Sequence, residues 1–257
     1  LFISLLSIHH NVTLHSTLPL LNRETVPFSL KDVRSAIPAH CFESNVWRSV
    51  AYLSFDLAMI ALLYWTAAHL NQAWFLPIFW LGQGTFFWAL FVVGHDCGHG
   101  SFSCHRWLNH LIGHICHTPL LVPFHGWRIS HRIHHTHTGN IDKDESWHPV
   151  TESQYHSMGW YEKLARFHLI LVVYPLYLFR RSTGKKGSHF LPDSPLFRPH
   201  ERGQVVTSTI CCIVMVLVLL SLGLGYGFDF LFKYYLMPYL VFIAWLDVVT
   251  FLHHTDE

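Results

Sequence analysis

Four long apolar runs dominate the pattern along this chain, at roughly 49–70, 73–93, 205–226 and 228–252. Each approaches the roughly 20 mainly apolar residues that an α-helix needs to cross a bilayer. The first two runs are separated by almost nothing, and so are the last two, which predicts two helical hairpins. The first 48 residues are mixed, with turn formers at Pro19, Pro27 and Pro38. The opening "LFISLLSIHH" is too short to span and has neither a basic leader nor a cleavage site, so it does not read as a signal peptide. Between the hairpins, from about 94 to 204, the pattern turns polar. Within it "LIGHICHTPLLVPF" and "FHLILVVYPLYLF" are apolar but short or broken by proline, and predict helices lying in the membrane interface.

Charge gives that layout a direction. Sixteen of the seventeen Lys and Arg lie before Ser49 or between Gly94 and Gln204, the exception being Lys233 in the turn of the second hairpin. The positive-inside rule then puts those segments on the cytoplasmic face, and parity returns the chain to that face at "FLHHTDE". The expected architecture is an all-α integral membrane protein: four transmembrane helices in two hairpins, interfacial helices and a cytoplasmic His-rich region. Neither a linker nor an internal repeat divides the chain, so residues 1–257 read as one domain. Its beginning at Leu1 and its end at Glu257 both look cut, which predicts a C-terminally truncated fragment.

Composition then changes the picture from architecture to chemistry. A net charge of +1 leaves no basic surplus for a nucleic acid. The six cysteines form no C-x-x-C pair, so neither a zinc ribbon nor a disulfide framework is expected. The 23 histidines are the unusual feature, and their spacing matters more than their number. In "HDCGH", His95 and His99 stand at i and i+4, which puts both rings on one helical face. In "HRIHH", His131, His134 and His135 stand at i, i+3 and i+4, again on one face. Five imidazoles exceed what one tetrahedral zinc takes, and they suit two neighbouring metal ions. Nitrogen donors accept iron, zinc, copper or manganese, so these residues leave the ion open. Neither cluster carries the H-E-x-x-H of a zinc protease.

Other residues carry softer expectations. His110, His114 and His117 share a face and read as a polar edge toward water. His125, His137 and His148 read as surface groups or as supports for the ligands. Asp96 is placed to orient a liganding imidazole through its second nitrogen. "TGNIDKDESW" reads as a polar turn whose acids either support the site or are simply solvated. Trp80, Phe86, Phe87 and Trp88 could line a slot between the spans, although packing against lipid is the plainer reading.

The motifs "GHDCGHGSF", "HGWRISHRIHH" and "FLHHT", in this hairpin layout, closely resemble the membrane-bound acyl-lipid desaturases. "LVPFHGWRISHR", "TGNIDKDESW" and "GSHFLPDSPLF" are most similar to the omega-3 (Δ15) desaturases of cyanobacteria and plastids. The resemblance runs from about Pro27 to the last residue. It implies a non-haem di-iron enzyme that uses dioxygen and two electrons to place a cis double bond in a lipid-linked acyl chain. The implied iron ligands are His95 and His99 from the first box, and His131, His134 and His135 from the second. A further ligand past the fourth span maps onto His254, with His253 as second choice. The family's third box, H-x-x-H-H, lies beyond Glu257, so the fragment itself is expected to be inactive.

The same resemblance implies ferredoxin ahead of cytochrome b5 as electron donor. It also implies a multi-pass location in a cyanobacterial thylakoid or plasma membrane, or in a plastid membrane, with the boxes on the cytoplasmic or stromal face. Two alternatives stay open: a hydroxylase or acetylenase on the same scaffold, and a His-rich membrane metal transporter. The transporter expectation is the weaker, because a transporter should bury its ionisable ligands near the bilayer midplane rather than at span ends.

Overall fold

The computed structural model describes residues 27–140, 142–146, 151–163, 170–181 and 185–254. His148, part of "TGNIDKDESW" and the start of "FHLILVVYPLYLF" lie outside the described residues. Every regular element among the described residues is helical. After a short α1 (Leu30–Ala36) come α2 (Val46–Leu70), α3 (Leu76–His99), α4 (Arg106–His117) and α5 (Phe124–His137). They are followed by α6 (Glu152–Ser157), α7 (Ile170–Arg180), α8 (Arg202–Tyr226), α9 (Phe228–Leu231) and α10 (Met237–His254).

Four stretches are long and apolar enough to cross a membrane: Val46–Leu70, Ala73–His99, Pro199–Tyr226 and Phe228–His254. They contain the four expected runs and extend beyond them at the polar ends, where caps rather than hydropathy set the limits. Asn45 caps α2 by accepting from the Arg48 N–H at 3.1 Å, and Asn71 ends it in the left-handed region at φ 44°. Pro77 sits in the first turn of α3, where its missing N–H costs nothing, and Gly100 ends that helix at φ 77°. The glycine that follows "HDCGH" is therefore the stop that leaves His99 on the final turn.

The exteriors of the spans are apolar. Tyr52, Phe55, Leu62 and Trp65 of α2 and Ile213, Leu217, Leu220 and Leu224 of α8 are all exposed. Such a surface calls for a hydrocarbon solvent rather than water. Inside, α3 packs chiefly on α10, α4 and α2. Its crossing with α10 is close because Gly84 has no side chain: a Cβ there would lie 2.4 Å from the Val241 Cβ.

The second hairpin carries a break with an identifiable cause. Between α9 and α10 the chain makes a π-helical turn, Phe232–Leu236, and Pro238 follows. Proline has no N–H to offer the Tyr234 carbonyl, and the Met237 N–H is taken by the carbonyl of Phe232. Side chains of the first hairpin satisfy the two orphaned carbonyls: Tyr64 Oη donates to Tyr234 at 2.9 Å and Trp80 Nε1 to Lys233 at 2.8 Å. Trp80 is thus a structural donor rather than a slot lining. Phe87 is buried against Tyr235, and Trp88 stacks on Phe91, so both belong to the core between spans.

Candidate metal centre

The centre grows from three helix segments. His95 and His99 occupy the last turn of α3; His131, His134 and His135 follow one another along α5; His254 is the final residue of α10. An aromatic layer supports them, with Phe91 in contact with Trp127, Tyr174 and Phe242. Trp127 stacks flat on His131, centroids 4.5 Å apart at 18°, which fixes that ring against the core.

One potential ligand nitrogen from each of His95, His99, His131 and His135 lies within 4.8 Å of the others. A second group adjoins this one, where the Nε2 atoms of His134 and His254 approach to 2.9 Å. His134 and His135 are neighbours on α5, so the two groups share a wall. Of the two candidates at the end of the fourth span, His254 turns inward and His253 is exposed.

The second nitrogens decide what the first ones can do. His134 Nδ1 donates to Asp144 Oδ1 at 2.7 Å, His254 Nδ1 to the Thr250 carbonyl at 2.6 Å, and His95 Nδ1 to Asp96 Oδ1 at 3.0 Å. A carboxylate or carbonyl can only accept, so in each ring Nδ1 carries the hydrogen and Nε2 presents a lone pair. At His134 and His254 two lone pairs therefore face each other at 2.9 Å. Between neutral rings that contact is repulsive, and either a shared proton or a metal cation beside the two nitrogens relieves it. The donor set thus fits a divalent transition metal on the chemistry of its atoms.

The site also resists protonation. Burial, then the neighbouring His95, His135, His99 and His134, pull His131 far below the ordinary imidazole range. His135 is lowered in the same direction, by burial first and His134 next. Both rings stay neutral at physiological pH and keep their lone pairs for a metal.

Behind His134 stands a clamp in which Asp144 is only 1% exposed. Its Oδ1 accepts from the Ser146 N–H at 2.8 Å as well as from His134. Tyr177 Oη meets Ser130 Oγ at 2.7 Å and Ser146 Oγ at 3.2 Å, tying α5, this loop and α7 together. Next to Asp144, Glu145 forms a buried ion pair with Arg181, Nη2 to Oε1 at 2.8 Å and Nε to Oε2 at 3.1 Å. Lys185 contacts Glu145 at 3.2 Å and also donates to the Asp144 carbonyl. Of the acids expected near the site in "TGNIDKDESW", Asp144 and Glu145 are therefore fixed supports, whereas Asp142 is exposed. Ser130, Tyr177, Arg181 and Thr250 carried no signal in the sequence, because each acts through a partner from another turn or element.

The remaining histidines differ from expectation in an informative way. α4 turns Trp107, Leu111 and Ile115 outward and buries Asn109, Gly113 and His117, so its polarity is inverted relative to a helix facing water. His117 is fully buried, its Nε2 bonded to the Phe91 carbonyl at 3.1 Å and its ring stacked on Phe91. It fills the notch left by Gly94, where a Cβ would come within 2.1 Å of the ring. The polar edge expected at His110, His114 and His117 is thus an inward face. His125 is buried and joins His110 and His114, with ring centroids 4.7 and 4.8 Å away. The His137 ring bonds to the Ile133 carbonyl of its own helix.

The family model for fatty acid desaturases matches residues 71–257. The chain belongs to the fatty acid desaturase family. A second family model, a domain of unknown function (DUF3474), matches residues 23–64. An sn-1 acyl-lipid omega-3 desaturase (ferredoxin) of Synechocystis sp. is 59% identical over 240 residues, which cover 93% of this chain and 67% of the relative. The endoplasmic-reticulum omega-3 fatty acid desaturase of Nicotiana tabacum is 50% identical over 230 residues, 89% of this chain and 61% of the relative. The chloroplastic sn-2 acyl-lipid omega-3 desaturase (ferredoxin) of Arabidopsis thaliana is also 50% identical over 230 residues, 89% of this chain and 52% of the relative. The chain therefore spans about half to two thirds of the length of these relatives.

Proposed function

We propose that this chain forms the membrane and metal-binding core of an acyl-lipid omega-3 desaturase, with two irons held by His95, His99, His131, His134, His135 and His254. The observation that carries the reading is the pair of opposed Nε2 lone pairs on His134 and His254, beside a convergent group of four further imidazoles. The omega-3 assignment rests on relatives of that name at 50–59% identity.

Bound iron, with dioxygen, supplies the oxidising power for a C–H bond that offers acids, bases and nucleophiles nothing to attack. Overall, two hydrogens leave adjacent methylenes as a cis double bond forms. Two electrons from the donor and two further protons complete the reduction of dioxygen to water. The protein's part is to hold and orient. Asp144, Asp96 and the Thr250 carbonyl fix ring tautomers, Trp127 fixes the plane of His131, and the Glu145–Arg181 pair anchors the loop that carries Asp144. The outward apolar stripe of α4 supports a position in the membrane interface, where an acyl chain can enter from the bilayer.

Ferredoxin is the proposed electron donor, as the names of the Synechocystis and Arabidopsis relatives say of those proteins. A photosynthetic membrane is the proposed location, with the histidines on its cytoplasmic or stromal face. Expression of the complete protein in a cyanobacterium rich in dienoic lipid tests the reaction. Trienoic acids unsaturated at the omega-3 position are expected, whereas hydroxy or acetylenic acids without them would contradict it.

A further inference from the structure

A cavity of about 280 Å³ opens beside the metal centre, lined by His99 and Gly100 at the end of α3, Asn109 and His110 of α4, and the two arginines Arg106 and Arg128. No carboxylate lines it. Its charged groups are also unspent. Neither Arg106 nor Arg128 belongs to an ion pair among the described residues, whereas Arg132 pairs with Glu201 at 2.6 Å and Arg202 with Asp193 at 3.1 Å. Arg128 gives one N–H to Gln204 Oε1 at 2.9 Å, while its Nε is fully buried without any acceptor. Behind the cavity both ring nitrogens of His114 and Nδ1 of His125 are likewise buried without partners.

A buried guanidinium N–H without an acceptor is costly, and two arginines facing one space repel each other. Burial, then Arg132 and Arg106, lower the Arg128 pKa from its usual value, which records the same missing counter-charge. Glu201 offsets this only in part and from a distance: its hydrogen bonds go to Arg132 and to the Arg198 N–H, and it forms no ion pair with Arg128 among the described residues. A carboxylate entering the cavity would meet Arg128 and Arg106 together, the arrangement that makes guanidinium–carboxylate contacts strong.

We propose that this cavity receives a surface carboxylate of the electron-donor protein and so forms the donor's docking site. The inference rests on the proposed ferredoxin-dependent desaturase reading. His99 lines the cavity and also belongs to the four-imidazole group, so a donor seated here lies one side chain from the metal. A lipid head group suits the place less well. An acyl chain attacked near its methyl end holds its head group most of a chain length away from the metal, and this cavity abuts the metal.

The test uses the complete iron-loaded protein in nanodiscs and a plant-type [2Fe–2S] ferredoxin. Binding is measured without turnover, across a salt series, for wild type, Arg106→Gln, Arg128→Gln, Arg128→Lys and Arg202→Gln. Arg106→Gln is expected to weaken binding about fivefold and Arg128→Gln about tenfold at low salt, each with a shallower salt dependence. Arg128→Lys should recover part of the loss, and Arg202→Gln, outside the cavity, should bind as wild type. Arg106 is exposed at the start of α4, so its substitution reads the site even where Arg128→Gln disturbs folding. Unchanged ferredoxin affinity in Arg106→Gln overturns the proposal. So does a loss of affinity for phosphatidylglycerol in its place, which would make the cavity a head-group site. Turnover with dithionite as reductant separates this from the desaturase reading: salt-dependent ferredoxin binding that needs these arginines, with no trienoic product, keeps the docking site and removes the reaction.

Discussion

Two groups of histidines sit side by side in this protein with nearly the same spacing and opposite surroundings. His95 and His99 at the end of α3 and His131 and His135 on α5 are i, i+4 pairs, and so are His110 and His114 on α4. Asp96 takes Nδ1 of His95 in the first group, and Asp144 and the Thr250 carbonyl take Nδ1 of His134 and His254 in the adjoining pair, which leaves Nε2 of these three rings toward the site. In the second group, among the described residues, no acid or carbonyl takes a ring nitrogen, both nitrogens of His114 are buried without a partner, and two arginines stand nearby. Spacing places rings on one face. An acceptor behind a ring, as at His95, His134 and His254, fixes which nitrogen is left with a lone pair for a cation.

The contrast can be broken at its supports. Asp144→Asn keeps the shape but removes the charge that holds His134, and a 10–100-fold loss of metal affinity or desaturation is expected. Titration of the purified variant with ferrous iron reads the loss, and wild-type affinity would show that Asp144 does not orient its ligand. Arg181→Met removes the bidentate partner of the buried Glu145, at a cost of about 3 kcal/mol in unfolding free energy. Denaturation of the detergent-solubilised protein measures it; a shift below about 0.5 kcal/mol would count against the clamp.

Acid sharpens the same comparison. Burial pushes His117 down to about 3 and His189 to about 4, while burial followed by His114 and Arg128 pushes His125 down to about 2. Unfolded, these rings titrate near 6.5, so below that pH the unfolded chain takes up protons that the folded chain refuses. Stability should therefore be flat above about pH 6.5 and fall as pH drops toward 4, by up to about 1.4 kcal/mol per pH unit for each ring. His117→Gln should make that slope shallower; an unchanged slope would mean the ring is not buried neutral. The smallest effect is expected at Asp96→Asn. Asp96 is half exposed, so solvent already weakens its hold on His95, and a loss of metal affinity below about tenfold is predicted, read by the same iron titration.

Much of this was legible in the residues before any coordinates. The spans announced themselves because hydrocarbon demands a long uninterrupted apolar run, and the five box histidines because metal ligation needs one helical face. His254 ranked ahead of His253 only through the resemblance: adjacent positions on a helix differ by about 100°, and the structure turns His254 toward His134 and leaves His253 exposed. α4 misled because the usual rule of polar side outward assumes water outside. With Trp107, Leu111 and Ile115 facing out, the rule inverts and His117 goes into the core. The Tyr64 and Trp80 donors to the Pro238 break were invisible for a different reason. Each links residues far apart in sequence through a geometry that no periodicity records. Asp144 was legible only as one of several acids near the site, and its pairing with His134 needed the structure.

The central claim is that two adjoining imidazole groups, and not the neighbouring histidines, hold a pair of irons. Metal analysis of the complete protein purified as wild type, His254→Ala and His114→Gln tests it most directly. Two irons per chain in wild type and in His114→Gln, with at least one lost in His254→Ala, are predicted. Iron content that survives His254→Ala intact, or that falls only in His114→Gln, would contradict the account.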